Sequence, residues 1–402
     1  MDDFIKRTWA DINISAFSHN LKEIRKKVGN KVKIMCVVKA DAYGHGAKCI
    51  ANELEKQGAD WFAVSNIEEA IQLRNYGVNK PILILGYTPC DMAEKLYNFN
   101  ISQAILSYDY GANLAEFCKT KGIKIKGHLK LDTGMNRIGF PCQSEAEICD
   151  SVDLIEKLNE FKEIEIEGAF THFAVSDSPK SGREFTQFQF KNFESAINEM
   201  GKRGINVPLR HCCNSGGIIC YPEMKLDMVR AGIILYGLYP DYELSNKINL
   251  QPAMELKTVI SQIKTIEKGR TVSYGRTFKA SKNMVVATVP IGYADGYSRG
   301  FSGKAYMLVC GQKAPVIGRV CMDQLMLDIS NIDGVKEGSE VVVFGKQGNE
   351  EISIKELAEL IGTIDYEIVC LIGKRVPRIY CKGETHAETA SNSKCKQRNA
   401  YT

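Results

Sequence analysis

The sequence predicts an α/β protein: an N-terminal (β/α)8 TIM-type barrel followed by a mostly β C-terminal domain. Three observations carry that expectation. Up to residue 240, eight short apolar runs alternate with amphipathic stretches, the pattern of parallel strands covered on both faces by helices. Eight such units match a closed barrel better than an open sheet. After Tyr239-Pro240 the texture changes to successive strands with Gly-containing turns and little helix.

The eight runs are KIMCVV (33–38), WFAVS (61–65), PILIL (81–85), SQAIL (102–106), IKGHLKL (125–131), IEGAFTHF (166–173), PLRHCC (208–213) and LDMVRAG (226–232). Between them lie helical patterns such as AKCIANELEKQG and IEEAIQLRNYG, which end on a glycine stop. In the second half, AMELKTVISQIKTI, NMVVATVPIGYADGY, YMLVCGQKAPVIGRVCM and EVVVFG read as strands, SIKELAELIG as a helix, and RVPRIYC as a last strand. The expected domains are therefore a barrel over 11–240 and a β domain over 241–382, which the N-terminal segment 1–10 joins. The polar tail 383–402 lacks apolar periodicity and is expected to be disordered.

A chain of 402 residues is too long for one ordinary core. Its 44% hydrophobic and 25% charged residues are those of a soluble globular protein. The net charge of +4 is spread over 52 basic and 48 acidic residues and gives no argument for nucleic acid. The basic cluster Lys394, Lys396 and Arg398 reads as a solvated tail. No apolar run approaches the ~18 residues of a membrane span, and the N-terminus MDDFIKRTWADINISAF lacks a signal-peptide core. A cytoplasmic protein is expected. The 14 cysteines include no C-x-x-C pair, so they read as reduced, small buried hydrophobes, and no metal site is expected.

The chemistry concentrates at strand ends. Lys39 closes an apolar strand in VVKADAYGHGA, where a barrel carries its active site and a lysine can form a Schiff base with an aldehyde. From position alone, a lysine snorkelling out at a strand end is the more ordinary reading. Gly44-His45-Gly46 then reads as a loop that permits close approach by a ligand. Lys130 and Arg137 follow the fifth strand and His172 ends the sixth. Asn214-Ser215-Gly216-Gly217 follows the seventh, and Arg230-Ala231-Gly232-Ile233 ends the eighth. Loops after strands seven and eight are the usual phosphate cradle of this architecture. Each residue alone has a structural explanation; their convergence on one rim does not.

The motifs KADAYGHG, HLKLDTGMNRIGF, THFA, NSGG, DMVRAGIILYG, VSYGRTF, PIGYADGY and GRVCMDQ, spread over residues 5–382, make this chain resemble the alanine racemases. That family uses pyridoxal 5'-phosphate on a barrel with a C-terminal β domain. The resemblance implies interconversion of L-alanine and D-alanine, supplying D-alanine for peptidoglycan. Lys39 would hold the cofactor covalently and act as base on one face of the substrate. Tyr274, from the partner subunit of a homodimer with shared sites, would serve the other face. His172 would contact the Tyr274 hydroxyl, and Arg230 would contact His172 and the pyridine nitrogen. Arg137 would contact the cofactor's phenolic oxygen and the substrate carboxylate, and Lys130 matches a lysine that is often carbamylated. Tyr43, Asn214, Ser215, Gly232, Ile233 and Tyr366 would bind the cofactor, chiefly its phosphate. The partner's Met322 would help bind the substrate, and Tyr293 and Tyr366 would narrow the entrance.

Competing readings differ in what they need. A racemase for serine or another small amino acid would use the same scaffold, although the bulk of Tyr366 favours alanine. A non-catalytic pyridoxal-phosphate-binding barrel would lack the β domain and Tyr274. The related decarboxylases for basic amino acids fit YGHG and CMDQ less well. A pure scaffold protein would bind no cofactor.

Overall fold

A computed structural model describes residues 5–382, and the expected tail 383–402 lies outside the described residues. By its internal contacts the chain divides into two compact units. One comprises Ala16–Ala42 and Ala47–Pro252; the other comprises the residues up to Ser15, Tyr43–Gly46, and those from Ala253 on.

The first strand, β1 (Thr8–Asn13), belongs to the second unit. The first unit is an eight-stranded parallel barrel. Its strands are β2 (Lys33–Val37), β3 (Trp61–Val64), β4 (Ile82–Ile84), β5 (Ile101–Ile105) and β6 (Ile125–Asp132). The two-residue β7 (Phe140–Pro141) lies beside the end of β6. Then come β8 (Ile164–Phe170), β9 (Leu209–His211) and β10 (Met228–Ala231). The sheet runs β10-β2-β3-β4-β5-β6-β8-β9. Two backbone bonds close the ring between β9 and β10: Asp227 N–H to the Arg210 carbonyl (3.1 Å) and Arg230 N–H to the Cys213 carbonyl (2.9 Å). Each barrel strand falls on one of the eight apolar runs.

The strands β3, β4 and β5 are buried at every position, because side chains on one face fill the barrel and those on the other meet helices. The helices begin where the sequence places oxygen caps. Asn66, Ser107 and Ser144 each accept a hydrogen bond from the backbone N–H three residues on. The Trp61 ring on β3 meets His128 on β6 at 5.4 Å between centroids. Those strands are separated by two others, so this contact crosses the barrel interior.

One local feature was not legible in the pattern. Directly after Lys39, the residues Ala40, Asp41, Ala42 and Tyr43 all have φ between 51° and 54°. A left-handed turn of L-residues costs roughly 1–2 kcal/mol each, so it must be held from outside. The Ala40 N–H donates to Glu69 Oε1 (2.7 Å), the Ala42 N–H to the Val38 carbonyl (2.9 Å), and Asp41 Oδ1 accepts from the Ala47 N–H (2.7 Å).

The second unit is a mixed sheet of β11 (Met254–Val259), β12 (Gln262–Ile266), β15 (Met284–Val289), β16 (Tyr306–Val309), β17 (Gln312–Ile317), β18 (Leu325–Asp328), β19 (Glu340–Gln347) and β21 (Arg378–Cys381), together with β1. The short β13 (Thr271–Val272) and β14 (Phe278–Lys279) pair with each other, and β20 (Glu350–Ile352) pairs with β19. Its order is β12-β15-β18-β17-β16-β19-β11-β1-β21. β1 lies antiparallel to β11 (Ala10 opposite Leu256) and parallel to β21 (Ala10 opposite Arg378). The expected helix appears as Ile354–Ile361, capped by Ser353. A second one, Asp365–Cys370, escaped the pattern because it is six residues long and has no side-chain cap.

The glycines of Gly44-His45-Gly46 need correction. They do not open a space for ligand. A Cβ on Gly44 would lie 2.3 Å from the Val369 carbonyl oxygen, and one on Gly46 would lie 1.8 Å from the Tyr380 hydroxyl. The loop is glycine-rich because protein packs against it. Both glycines also have positive φ, +78° and +92°. Gly46→Ala should therefore lower stability by about 2 kcal/mol or more. Gly29→Ala, also at positive φ (+82°) but facing open space, should cost about 1 kcal/mol from backbone strain alone. Thermal unfolding of the two variants checks this; equal losses would mean that contact with Tyr380 contributes nothing.

Candidate active site

In the barrel, β10 carries Arg230 into the interior, where it is 3% exposed. Its Nη1 donates to the His211 carbonyl (2.9 Å) and to His211 Nδ1 (3.0 Å). Its Nη2 donates to the carbonyls of Thr171 (2.6 Å) and Cys212 (3.0 Å) and more loosely faces His172 Nδ1 (3.4 Å). Among the described residues no carboxylate pairs with it, and no acceptor faces its Nε–H. Burial lowers its pKa to about 10, still far above neutrality, so the guanidinium stays charged. Phe170 lies beneath, 5.4 Å from ring centroid to guanidinium carbon, a cation–π contact that partly replaces water.

His172 follows β8. Because Arg230 can only donate, His172 Nδ1 must be the bare nitrogen and Nε2 must carry the proton. Burial first, then the charges of Arg230, Arg137, Lys130 and Lys39, push its pKa well below the ordinary value. The imidazole is thus a neutral donor, and those same charges place four expected site residues within electrostatic reach of one ring. Lys130 on β6 is 2% exposed and donates to the Leu131 carbonyl at 2.8 Å. Burial, with help from Arg230 and Arg137, brings its pKa down to about 8 against the opposing pull of Asp132. An appreciable fraction of this amine is therefore uncharged near neutral pH.

The loops after β9 and β10 meet. Asn214 caps the short helix Ser215–Cys220 by accepting from the Gly217 N–H. The buried Ser215 Oγ accepts from the Gly232 N–H at 3.1 Å, so the serine and the Gly232-Ile233 backbone share one corner. Gly216 has no room for a side chain: a Cβ would meet Asp177 N at 2.8 Å.

The second unit holds the remaining residues. Tyr274 follows Ser273, whose φ of +65° turns the chain outward, and its ring is 69% exposed. Ser273 Oγ donates to the Arg319 carbonyl at 2.6 Å and fixes that turn. Tyr274 and Met322 line one open groove of 540 Å³ with Thr271, Ser273, Cys321 and Asp323. Backbone bonds from Tyr293 N–H to Cys321 (3.1 Å) and from Ala294 N–H to Met322 (3.0 Å) tie the Tyr293 turn to the Met322 loop. Tyr43 and Tyr366 face each other at 6.1 Å between ring centroids.

Sequence reasoning missed two groups. His128 and His211 are buried polar partners inside the barrel. His128 stands two positions before Lys130, on the same strand face, which was the available signal. Asp295, fully buried, accepts from Arg7, from Arg375 Nε (2.8 Å) and from the Gly292 N–H (2.9 Å), while Arg375 also reaches Asp323 (2.7 Å). It braces the segments bearing Tyr293 and Met322. The cysteines among the described residues are all free thiols, and no helix there is long and apolar enough to cross a membrane.

Comparison with known proteins gives a consistent picture. Residues 12–240 match the family "Alanine racemase, N-terminal domain", and residues 253–380 match "Alanine racemase, C-terminal domain". A relative named alanine racemase 1, from Clostridium acetobutylicum, is 45% identical over 94% of this chain and 96% of its own length. The solved alanine racemase of Clostridium difficile 630 has a TM-score of 0.88 at 39% identity, covering 94% of this chain and 96% of that one. A histidine racemase from Leuconostoc mesenteroides shares the architecture at 30% identity, with a TM-score of 0.83 over 93% of this chain and 98% of that one.

Burial keeps His128, His172 and His211 neutral, each with a lowered pKa. Unfolding releases them to titrate near 6.5, so below that pH the unfolded chain binds more protons and stability falls. Denaturant midpoints should decline as the pH is lowered from about 6.5 to 5, before most carboxylates titrate. A flat profile through that window would contradict neutral burial of the three rings.

Proposed function

Since the chain belongs to the alanine racemase family and is an amino-acid racemase, we propose that it interconverts L-alanine and D-alanine using pyridoxal 5'-phosphate. In this reading Lys39 and Tyr274 act as bases on opposite faces of Cα. The product D-alanine would supply peptidoglycan synthesis in the cytoplasm.

The observation that supports the cofactor best is the unclaimed Nε–H of the buried, permanently charged Arg230. A nitrogen acceptor in a flat ring suits it. The surrounding cations Lys39, Lys130 and Arg137 suit a ligand with phosphate, phenolate and carboxylate groups. When bound, pyridoxal phosphate supplies an aldehyde for Lys39 and an electron-withdrawing ring that acidifies the substrate Cα–H. Arg230 does not surrender its proton, so the ring nitrogen would stay unprotonated. As the family resemblance implies, Tyr43, Asn214, Ser215, Gly232, Ile233 and Tyr366 would bind the cofactor, chiefly its phosphate. Arg137 and Met322 would hold the substrate carboxylate, while Tyr293 would narrow the access.

Racemisation requires a proton to leave one face of Cα and arrive on the other. Lys39 would move it on its face. A phenol is a poor base at neutral pH, since phenols ordinarily titrate near 10. The Nε2–H of neutral His172 would donate to the Tyr274 oxygen and favour the phenolate, and the charge of Arg230 behind His172 would keep that imidazole from taking a second proton. The exposure of Tyr274 and Met322 in one groove fits delivery to a second copy of the chain, in a homodimer with shared sites.

Two outcomes test this reading. Lys39→Ala and Tyr274→Phe should each be inactive as racemases, yet mixing them should restore roughly a quarter of wild-type activity, because about half the dimers are mixed and each has one intact site. No recovery despite subunit exchange seen by mass spectrometry would place both residues in one chain's site. Lys130, with its pKa near 8, should react with carbon dioxide to form a carbamate. This would convert a buried cation beside Arg137 into an anion that orients it. Incubation in 13C-bicarbonate should give a carbamate resonance that Lys130→Arg lacks; an identical signal in the variant would assign it elsewhere.

A further inference from the structure

We propose that the partly buried Glu167 and the buried His128 and His211 form a relay that serves Arg230 as its counter-ion and positions it for catalysis. The proposal rests on the racemase reading for the task of Arg230, but its geometry stands independently.

The contacts make a continuous line inside the barrel. Arg230 Nη1 meets His211 Nδ1 at 3.0 Å, His211 Nε2 meets His128 Nδ1 at 3.0 Å, and His128 Nε2 meets Glu167 Oε2 at 3.3 Å. Glu167 is itself held by Ser102 Oγ (2.6 Å) and Lys126 Nζ (3.5 Å). Both ends have fixed polarity. An arginine can only donate and a carboxylate can only accept. His211 must therefore leave Nδ1 bare and carry its proton on Nε2, and His128 must do the same. Only this arrangement satisfies every link.

The surroundings are built for it. Gly168, opposite His128 in the β6–β8 register, has no space for a side chain, since a Cβ would lie 2.7 Å from His128 Nδ1. The Phe170 ring stacks on His211 at 5.1 Å and 10°, and Trp61 closes on His128 from across the barrel. The rings are thereby locked against flipping. An apolar filling would be cheaper than a buried cation, two imidazoles and a carboxylate. The relay instead gives Arg230, which has no carboxylate of its own among the described residues, a negative end two rings away. It also fixes the plane of the guanidinium, and with it the aim of Nε–H. Glu167, His128 and His211 are positioning residues; none reaches the reacting atoms.

The test uses the full chain with 15N-labelled histidine, read by long-range 15N–1H correlation, first free of cofactor and then loaded. Six histidines in the sequence keep the spectrum assignable. The expected wild-type result is two neutral Nε2–H tautomers, His128 and His211, unchanged from about pH 6 to 8. Glu167→Gln keeps the shape, and its amide oxygen can still accept from His128 Nε2–H, so both tautomers should persist while the negative end of the relay is lost. Racemisation should fall about tenfold in both directions, the factor carried by one charge-assisted hydrogen bond. A proton on Nδ1 of either ring in the wild-type protein, or an imidazolium, would overturn the proposal. So would a Glu167→Gln protein that keeps the wild-type rate. The ring states need no cofactor, so they are judged apart from whether the wild-type protein racemises alanine.

Discussion

A guanidinium buried with no carboxylate partner among the described residues is the constraint around which the barrel interior is arranged. Removing an ion from water costs several kcal/mol even after relaxation, on the order of 5, and Arg230 recovers this through three backbone carbonyls, one imidazole nitrogen and an aromatic face. Those acceptors dictate their neighbours. The carbonyls of Thr171, His211 and Cys212 must turn inward just where β8 and β9 end, and His211 must present a bare Nδ1. Phe170 must stack on the ring of His211 and keep its own ring within reach of the two cations Arg230 and Lys130. The pKa values of His172 and Lys130 are depressed first by burial, and the charge of Arg230 lowers both further.

The segment after Lys39 is a second cost accepted at the site. Four successive left-handed residues are unfavourable in themselves, and the bonds to Glu69, Val38 and Ala47 hold them. The turn changes the chain's direction immediately beyond the lysine. It also marks where the chain passes from the barrel unit into Tyr43–Gly46, a loop whose packing belongs to the second unit. There the Val369 carbonyl and the Tyr380 hydroxyl leave no space for any side chain at positions 44 and 46. Strain on one side of Tyr43 and close packing on the other leave that tyrosine one place to be, facing Tyr366.

In the second unit the equivalent buried charge is Asp295. It gathers Arg7, Arg375 and the Gly292 N–H, and Arg375 extends the tie to Asp323 beside Met322. The sheet thus presents exposed residues, Tyr293 and Met322, from loops that are rigid at their base. Ser273 does the same for Tyr274 by spending its hydroxyl on the Arg319 carbonyl. Exposed side chains on braced loops suit contact with another surface better than solvent alone does, since side-chain ordering costs entropy that water does not return.

Much of this was written in the linear pattern. The eight apolar runs placed the barrel strands because strands buried on both faces must be apolar throughout. Lys39, His172, Asn214 and Arg230 stood out because polar residues at strand ends break that pattern. The β region announced itself by turns without helices. Three things required the folded chain. The run KADAY looks helical, but its hand is set by contacts from Glu69 and Ala47, which no local propensity encodes. The glycines at 44 and 46 read as room for a ligand, while their real neighbours, Val369 and Tyr380, lie more than 300 residues away in sequence. His128, His211 and Glu167 carry no motif at all. Each is unremarkable on its own strand, and only closure of the barrel stacks three strands so that a donor-only cation and an acceptor-only carboxylate fix the protons between them. Sequence determines which residues face inward by a period of two; which of those then touch depends on stagger and ring closure, a property of the whole sheet.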